Sequence, residues 1–426
     1  MKIRIASFLN IIVGFSFVWR IITESVSLPA VLSFIPDALL ILAIVICYTK
    51  HAKANIQDKK FLMFVISLVL ISIAGFIANF QGIESFFYYI WGARNQGRFL
   101  FFYLLAIWLL QDMRYFKFKR LVYTMLIVEI IIVSIQFFIM GYRNDYVSGI
   151  FGTEQGGNGV VNIFICIITI WVLVDFLHKE ISAKRAIALI GACLYIAAIS
   201  EIKYYFIEMI LFVSITVLVT DNGSRKIKIV AGVAIGLLFG LHILGLYYPY
   251  FARFFTLENL IAYMQKGAFN QNTATEFLTG YSRTAVLPGV YDTFLNGNIL
   301  KTLFGVGLGY ADSSPIALFN SSFSEKYGIL LYANYHFSMV FLEMGFVGLI
   351  VFVSSFVGTI AQGISTYQAS NRNNKYALYI FMMGILGLMV FFYDSSLRTS
   401  ASGYFYYYSL AVSFIYMKKN SHSVQV

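Results

Sequence analysis

Charge is what this sequence has least of. Only 12% of its 426 residues are Asp, Glu, Lys or Arg, against about 25% in an ordinary soluble domain. A chain that is 59% hydrophobic has too little polar surface to enclose an apolar core in water. That excludes a soluble globular fold and leaves a polytopic membrane protein. Cysteine is scarce as well. Cys47, Cys166 and Cys193 all sit in apolar runs, which excludes a disulfide framework and a Cys-based metal site. The N-terminal apolar run lacks a small-residue cleavage site and reads as a first span. The polar connections hold no Walker A sequence and no dinucleotide fingerprint. No internal repeat is visible, and no metal, nucleotide or other cofactor is expected.

What is present is a series of apolar runs. They predict helices near 5–23, 30–48, 61–79, 99–112, 121–141, 160–178, 186–200, 204–220, 229–246, 335–360, 376–394 and 404–417. The expected fold is all-α, with about twelve transmembrane helices. Residues 1–246 form a first bundle of about nine helices, 247–334 one large, partly helical loop, and 335–426 about three further helices, all one membrane domain. Short alternate loops collect 20 of the 31 Lys and Arg residues, among them Lys59, Lys60, Lys119, Arg185, Arg372 and Lys375. By the positive-inside rule that side is cytoplasmic, as are both termini. The net charge of +11 is then a topology signal, and no nucleic-acid partner is expected. The long loop faces outward, where a connection of that size suggests function.

Charges near the outer edge are costly unless partnered, so each marks a candidate site. "WGARNQGRFLFFY" places Arg94 and Arg98 one helical turn apart at the mouth of the fourth span. "AAISEIKYYFIEM" sets Glu201 and Lys203 in a short turn, and "GYSRTAVLPGVYD" sets Arg283 in the long loop. Arginine suits phosphate because its planar fork binds two oxygens at once; lipid-headgroup contact is the plainer reading. "KTLFGVGLGYADSSP" alternates Gly305, Gly307 and Gly309 with apolar residues. It reads as a close-packed turn, or as a backbone nest for an anion. "GIFGTEQGGNGVVNIF" is a turn in which Glu154 and Asn158 offer contacts to sugar hydroxyls. "NYHFSMVFLEMGFVGLI" opens a span with His336, either a structural helix start or a proton acceptor near neutrality. Glu343, two turns on, shares its face and needs a cation or a proton. The many tyrosines near span ends form an interfacial belt or a carbohydrate-stacking surface.

Taken in order, these pieces resemble the bacterial O-antigen polymerase (Wzy) and O-antigen ligase (WaaL) superfamily. The resemblance is most specific from Tyr281 to Ile350, where "YSRTAVLPGVYDTFLNGNILKTLFGVGLGY" precedes the His-start helix with "EMGFVGL". It implies an integral-membrane glycosyltransferase of the C class, inverting and independent of metal. The partners implied are undecaprenyl-diphosphate-linked glycans on the outer face of the plasma membrane, membrane lipids, and a separate chain-length regulator left open. Arg98 or Arg94, Lys203 and Arg283 would hold the diphosphate, and His336 would activate the acceptor hydroxyl. Glu201, Glu343, Asn334 and Tyr281 would complete the binding site. Ligase-like sequences carry their histidine about eleven residues before the first glycine of the E-x-G-x-x-G segment; Asn334 holds that spacing here, and His336 is two residues closer. The usual arginine before the eighth span is replaced by Lys203. These departures point to a polymerase, with a ligase or a lipid-linked oligosaccharide flippase as the alternatives.

Overall fold

The computed structural model describes residues 5–26, 32, 34–50, 58–109, 115–153, 156–219, 223–247 and 280–423. Among them every regular element is helical, as a backbone shielded from water requires. In order these are α1 (Ile5–Val26), α2 (Ile35–Lys50), α3 (Lys59–Ala78), α4 (Ile83–Leu109), α5 (Tyr115–Ser134), α6 (Asn158–Leu177), α7 (Ala183–Ile199), α8 (Lys203–Val219) and α9 (Gly223–Tyr247). The short helices α10 (Val286–Val290), α11 (Ile299–Phe304) and α12 (Ser322–Tyr327) lie in the long connection. They are followed by α13 (His336–Ala369), α14 (Lys375–Tyr393) and α15 (Ser400–Ser423). Each of the twelve apolar runs overlaps one of α1–α9 or α13–α15 among the described residues. Among the described residues, five stretches are long and apolar enough to cross a membrane: Lys59–Ala78, Lys117–Ile139, Asn158–Leu177, His336–Ala369 and Lys375–Tyr393. This is the make-up of a helical membrane protein. Lys2, Arg4, Lys53, Arg114, Glu154 and residues 248–279 of the long loop, with Arg253 and Lys266, lie outside the described residues.

The largest departure from the expected boundaries is α4, which begins at Ile83 and not near 99. Polar residues break the apolar run at 94–98 without breaking the helix, because other segments supply their partners. Arg94 and Arg98 therefore stand inside a helix, not at its mouth. α6 is buried along nearly its whole length and packs on α7, α8, α14 and α15, the place for a helix that is hydrophobic all round. α13 pairs closely with α14, and α4 with α15.

One helix is broken by design of its sequence. Within α13, Gly345 adopts φ 66°, ψ −166°, a conformation essentially reserved for glycine. The break frees the carbonyls of Leu342 and Glu343, and the glycine-rich stretch after α11 satisfies them. Val306 N–H donates to Leu342 O at 2.8 Å and Gly307 N–H to Glu343 O at 3.2 Å. A Cβ on Gly345 would lie 2.3 Å from the Leu303 carbonyl carbon, and one on Gly305 would lie 2.3 Å from that of Glu343. The Gly305–Gly309 stretch is thus close-packed, and its backbone holds a side chain from the same chain: Gly309 N–H donates to Glu343 Oε1 at 3.0 Å.

The ends of the bundle differ in chemistry. At one, Lys119 pairs with Asp175, Lys375 pairs with Glu180 and lies 3.9 Å from Asp175, and Tyr379 hydroxyl joins Asp175. Asp58 caps α3 and accepts from Tyr103 at 2.8 Å. The connections that sequence assigns to the outward side meet at the other end.

Candidate functional site

That second end has a buried layer and an open one. The buried layer is built on α4. Arg94 Nε donates to Asp37 Oδ2 at 2.9 Å, and its guanidinium lies 4.5 Å over Phe34 and 4.7 Å over Trp91. Arg98, one turn on, reaches Asp37 Oδ1 at 3.4 Å and donates to the Arg398 carbonyl at 3.0 Å. Tyr404 hydroxyl also donates to Asp37, at 3.1 Å. Arg398 pairs with Asp312, which accepts from Asn95 at 2.7 Å. Glu343 lies in the fields of Asp312 and Arg398. Three arginines (94, 98, 398) thus pair with two carboxylates (37, 312), an excess of one positive charge in the buried layer. The spacing of Arg94 and Arg98 does put both on one face, and that face is occupied by Asp37.

The open layer draws on four connections. Asp145, Asn158, Glu201, Lys203, Arg283 and Asp394 are all half-buried there. Asn158 Nδ2 binds Asp145 Oδ1. Lys203 pairs with Glu201 at 2.8 Å across a turn in which Glu201 takes φ 54°, a strained choice for a non-glycine that costs on the order of 1 kcal/mol. Asp394 Oδ1 accepts from Ser396 N–H at 2.7 Å, and a Cβ on Gly159 would come 2.8 Å from its Oδ2. Arg283 acts electrostatically on both Asp145 and Asp394. Its Nε donates to the Tyr393 carbonyl at 3.3 Å, and its guanidinium lies 4.5 Å over the Tyr393 ring. Burial pushes the Asp394 carboxyl above its ordinary range, opposed by Ser396 and Arg283. Burial and then Glu201 push Asp145 up, opposed by Asn158, Lys203 and Arg283.

His336 stands between the layers. Its main-chain N–H donates to the Asp394 carbonyl at 3.0 Å. Its ring is 4% exposed, set against Phe352 and Phe391, with Nε2 3.1 Å from Gln96 Oε1. Tyr281 serves the loop itself: its hydroxyl lies 2.7 Å from Thr293 Oγ1 and 3.1 Å from the Gly289 carbonyl. Asn334 is exposed in a 3-10 turn. Arg283, Lys203 and Glu201 therefore come together, Arg94, Arg98 and Glu343 share the buried layer, and His336 links the two.

No protein-family model matches this chain, and no curated protein does. The reading of the site rests on its chemistry.

Sequence reasoning did not mark Asp37, Asp145, Asp312, Asp394 or Arg398 as site residues. Three of these carried a usable signal. Asp37 is the one acid between Glu24 and Asp58, and a carboxylate in an apolar run needs a cation nearby. Asp394 and Arg398 fall together in the short turn between α14 and α15.

Proposed function

We propose that this chain is a Wzy-type polysaccharide polymerase of the bacterial plasma membrane. It crosses the bilayer about twelve times, with cytoplasmic termini and the open layer facing outward. The carrying observation is that open layer. Four connections, far apart in sequence, bring Arg283 and Lys203 together with Asp145, Asn158 and Asp394 at one end of the bundle. In the reaction a growing glycan leaves its undecaprenyl diphosphate for the next lipid-linked repeat unit. The bond from the sugar's anomeric carbon to the acceptor oxygen forms as the bond to the phosphate oxygen breaks, with inversion. Arg283 and Lys203 stabilise the charge that grows on the departing diphosphate, and the buried arginine layer keeps that end of the fold electropositive. The acceptor's proton passes to a positioned base. His336 is the base the resemblance implies. Asp394 is favoured by its half-buried carboxylate, against a His336 ring that is 4% exposed. His336 then supports Asp394 through its main-chain hydrogen bond.

A ligase would use the same layer with another acceptor. A flippase is less well supported. Its path would call for polar groups repeated along the bundle, whereas the deep carboxylates are few and each is held by the protein through one oxygen, the other having no partner among the described residues. Glu129 accepts from Ile150 N–H at 2.8 Å, Glu208 accepts from Asn162 at 2.8 Å, and Glu343 accepts from Gly309.

The test is reconstitution. Purified protein given a lipid-linked repeat unit, without nucleotide or metal, should yield a ladder of longer glycans. Arg283→Ala should abolish it. Arg143→Ala, whose guanidinium binds the Phe137 carbonyl at 2.7 Å and lies 4.0 Å over the Phe137 ring, should not. A ladder that survives Arg283→Ala removes the diphosphate assignment, and lipid crossing vesicles with no ladder turns the reading to a flippase.

A further inference from the structure

A guanidinium on a long connection has many ways to point. It can snorkel to headgroups or collapse onto the nearest carboxylate. The surroundings of Arg283 restrict it by stacking. Tyr393, the last residue of α14, lies beneath the guanidinium at 4.5 Å, and Tyr335, the residue before α13, flanks it at 5.8 Å. Tyr335 hydroxyl also donates to the Tyr281 carbonyl at 3.3 Å, which fixes the loop two residues before Arg283. The far face of the Tyr393 ring is covered as well. Tyr204, in the first turn of α8, stacks on it at 3.7 Å between centroids with the planes 1° apart. Tyr204, Tyr393, Arg283 and Tyr335 form one column that joins α8, α14, the long connection and α13. All five donors of a guanidinium lie in its plane. Faces taken by rings leave in-plane partners as the only productive ones, so the tilt of the column decides where Arg283 donates.

We propose that Tyr204 is a positioning residue for Arg283, acting through the ring of Tyr393. Its flat side chain sets the plane in which Arg283 offers its donors to a diphosphate, beside the Lys203 that precedes it in sequence. The inference rests on the reading of Arg283 as the diphosphate ligand. It predicts that the ring of Tyr204 matters and its hydroxyl does not.

The experiment uses the full chain in lipid nanodiscs. Phenylglyoxal labelling of Arg283 is followed by mass spectrometry, with inorganic pyrophosphate as the protecting probe. Tyr204→Phe is expected to label and to be protected as the wild type is. Tyr204→Leu is expected to label Arg283 faster and to need about five-fold more pyrophosphate for equal protection, in line with the modest worth of one stacked contact. Tyr204→His, which keeps a smaller flat ring, should fall between and serves if the leucine variant folds poorly. Wild-type labelling in both the leucine and histidine variants overturns the proposal, as does a phenylalanine variant that behaves like leucine. Faster labelling in Tyr204→Leu with no protection by pyrophosphate in any protein leaves the column standing and removes the diphosphate reading.

Discussion

Asp394 makes three separate commitments: its carbonyl to His336, its carboxylate to Ser396, and its field to Arg283. Such a group can move a proton only when ionised. Burial holds its carboxyl above the ordinary range, near pH 4 for an aspartate, so glycan transfer should fall as pH drops through a midpoint above that value. Initial rates between about pH 4 and 8 check this. Asp394→Asn should slow transfer by roughly two orders of magnitude or more at every pH, while a variant with the wild-type acid limb would exclude Asp394 as the base. At this scale the sequence was partly legible. Arg283 and the Glu201–Lys203 turn were marked by charge near the ends of apolar runs, and both act on Asp145. Asp394 was not, because an acid between apolar residues and serines is also an ordinary turn former. Nor was the burial of His336, which depends on Phe352, Phe391 and Gln96 from elsewhere in the chain.

Among the elements, helices were the readable part, since hydrocarbon leaves the backbone little else. The start of α4 was hidden because hydropathy cannot register that Asp37 and Asp312 await the polar residues at 94–98. The glycines of "EMGFVGL" and "FGVGLGY" stood out, but their mutual fit did not, because the donors that satisfy α13 lie upstream at 306–309. Gly345→Ala tests that fit. It places a side chain at φ 66° and a Cβ 2.3 Å from a backbone carbon. The expected loss is about 3 kcal/mol or more, from backbone strain and overpacking together. Thermal unfolding in nanodiscs should show a lowered midpoint, with Gly358→Ala, which meets nothing within 4 Å, close to wild type.

Across the whole molecule, alternation of basic loops foretold which connections keep company. Those with few cations gather around Arg283 and Asp37, while Lys119, Asp175, Glu180 and Lys375 gather at the far end. Which end faces the cytoplasm is open to direct measurement. Asn334 and Asn373 are both exposed, at opposite ends of α13 and its following turn. With Asn334→Cys, a membrane-impermeant maleimide added to intact spheroplasts should react; with Asn373→Cys it should react only after the membrane is opened. The reverse pattern would invert the proposed topology. Distribution of charge was legible because it depends on counting; the pairing of three arginines with two carboxylates was not, because it depends on distance.

The broken helix also bears on how the protein is made. The segment that satisfies the break, Val306–Gly309, is synthesised before α13. When α13 enters the bilayer it can do so as an unbroken helix, with every carbonyl satisfied internally. It can exchange those bonds for Val306 and Gly307 only once the long connection is in place beside it. The shape of α13 is therefore tied to the placement of the long connection: the carbonyls of Leu342 and Glu343 find their partners only when residues 306–307 lie against the break.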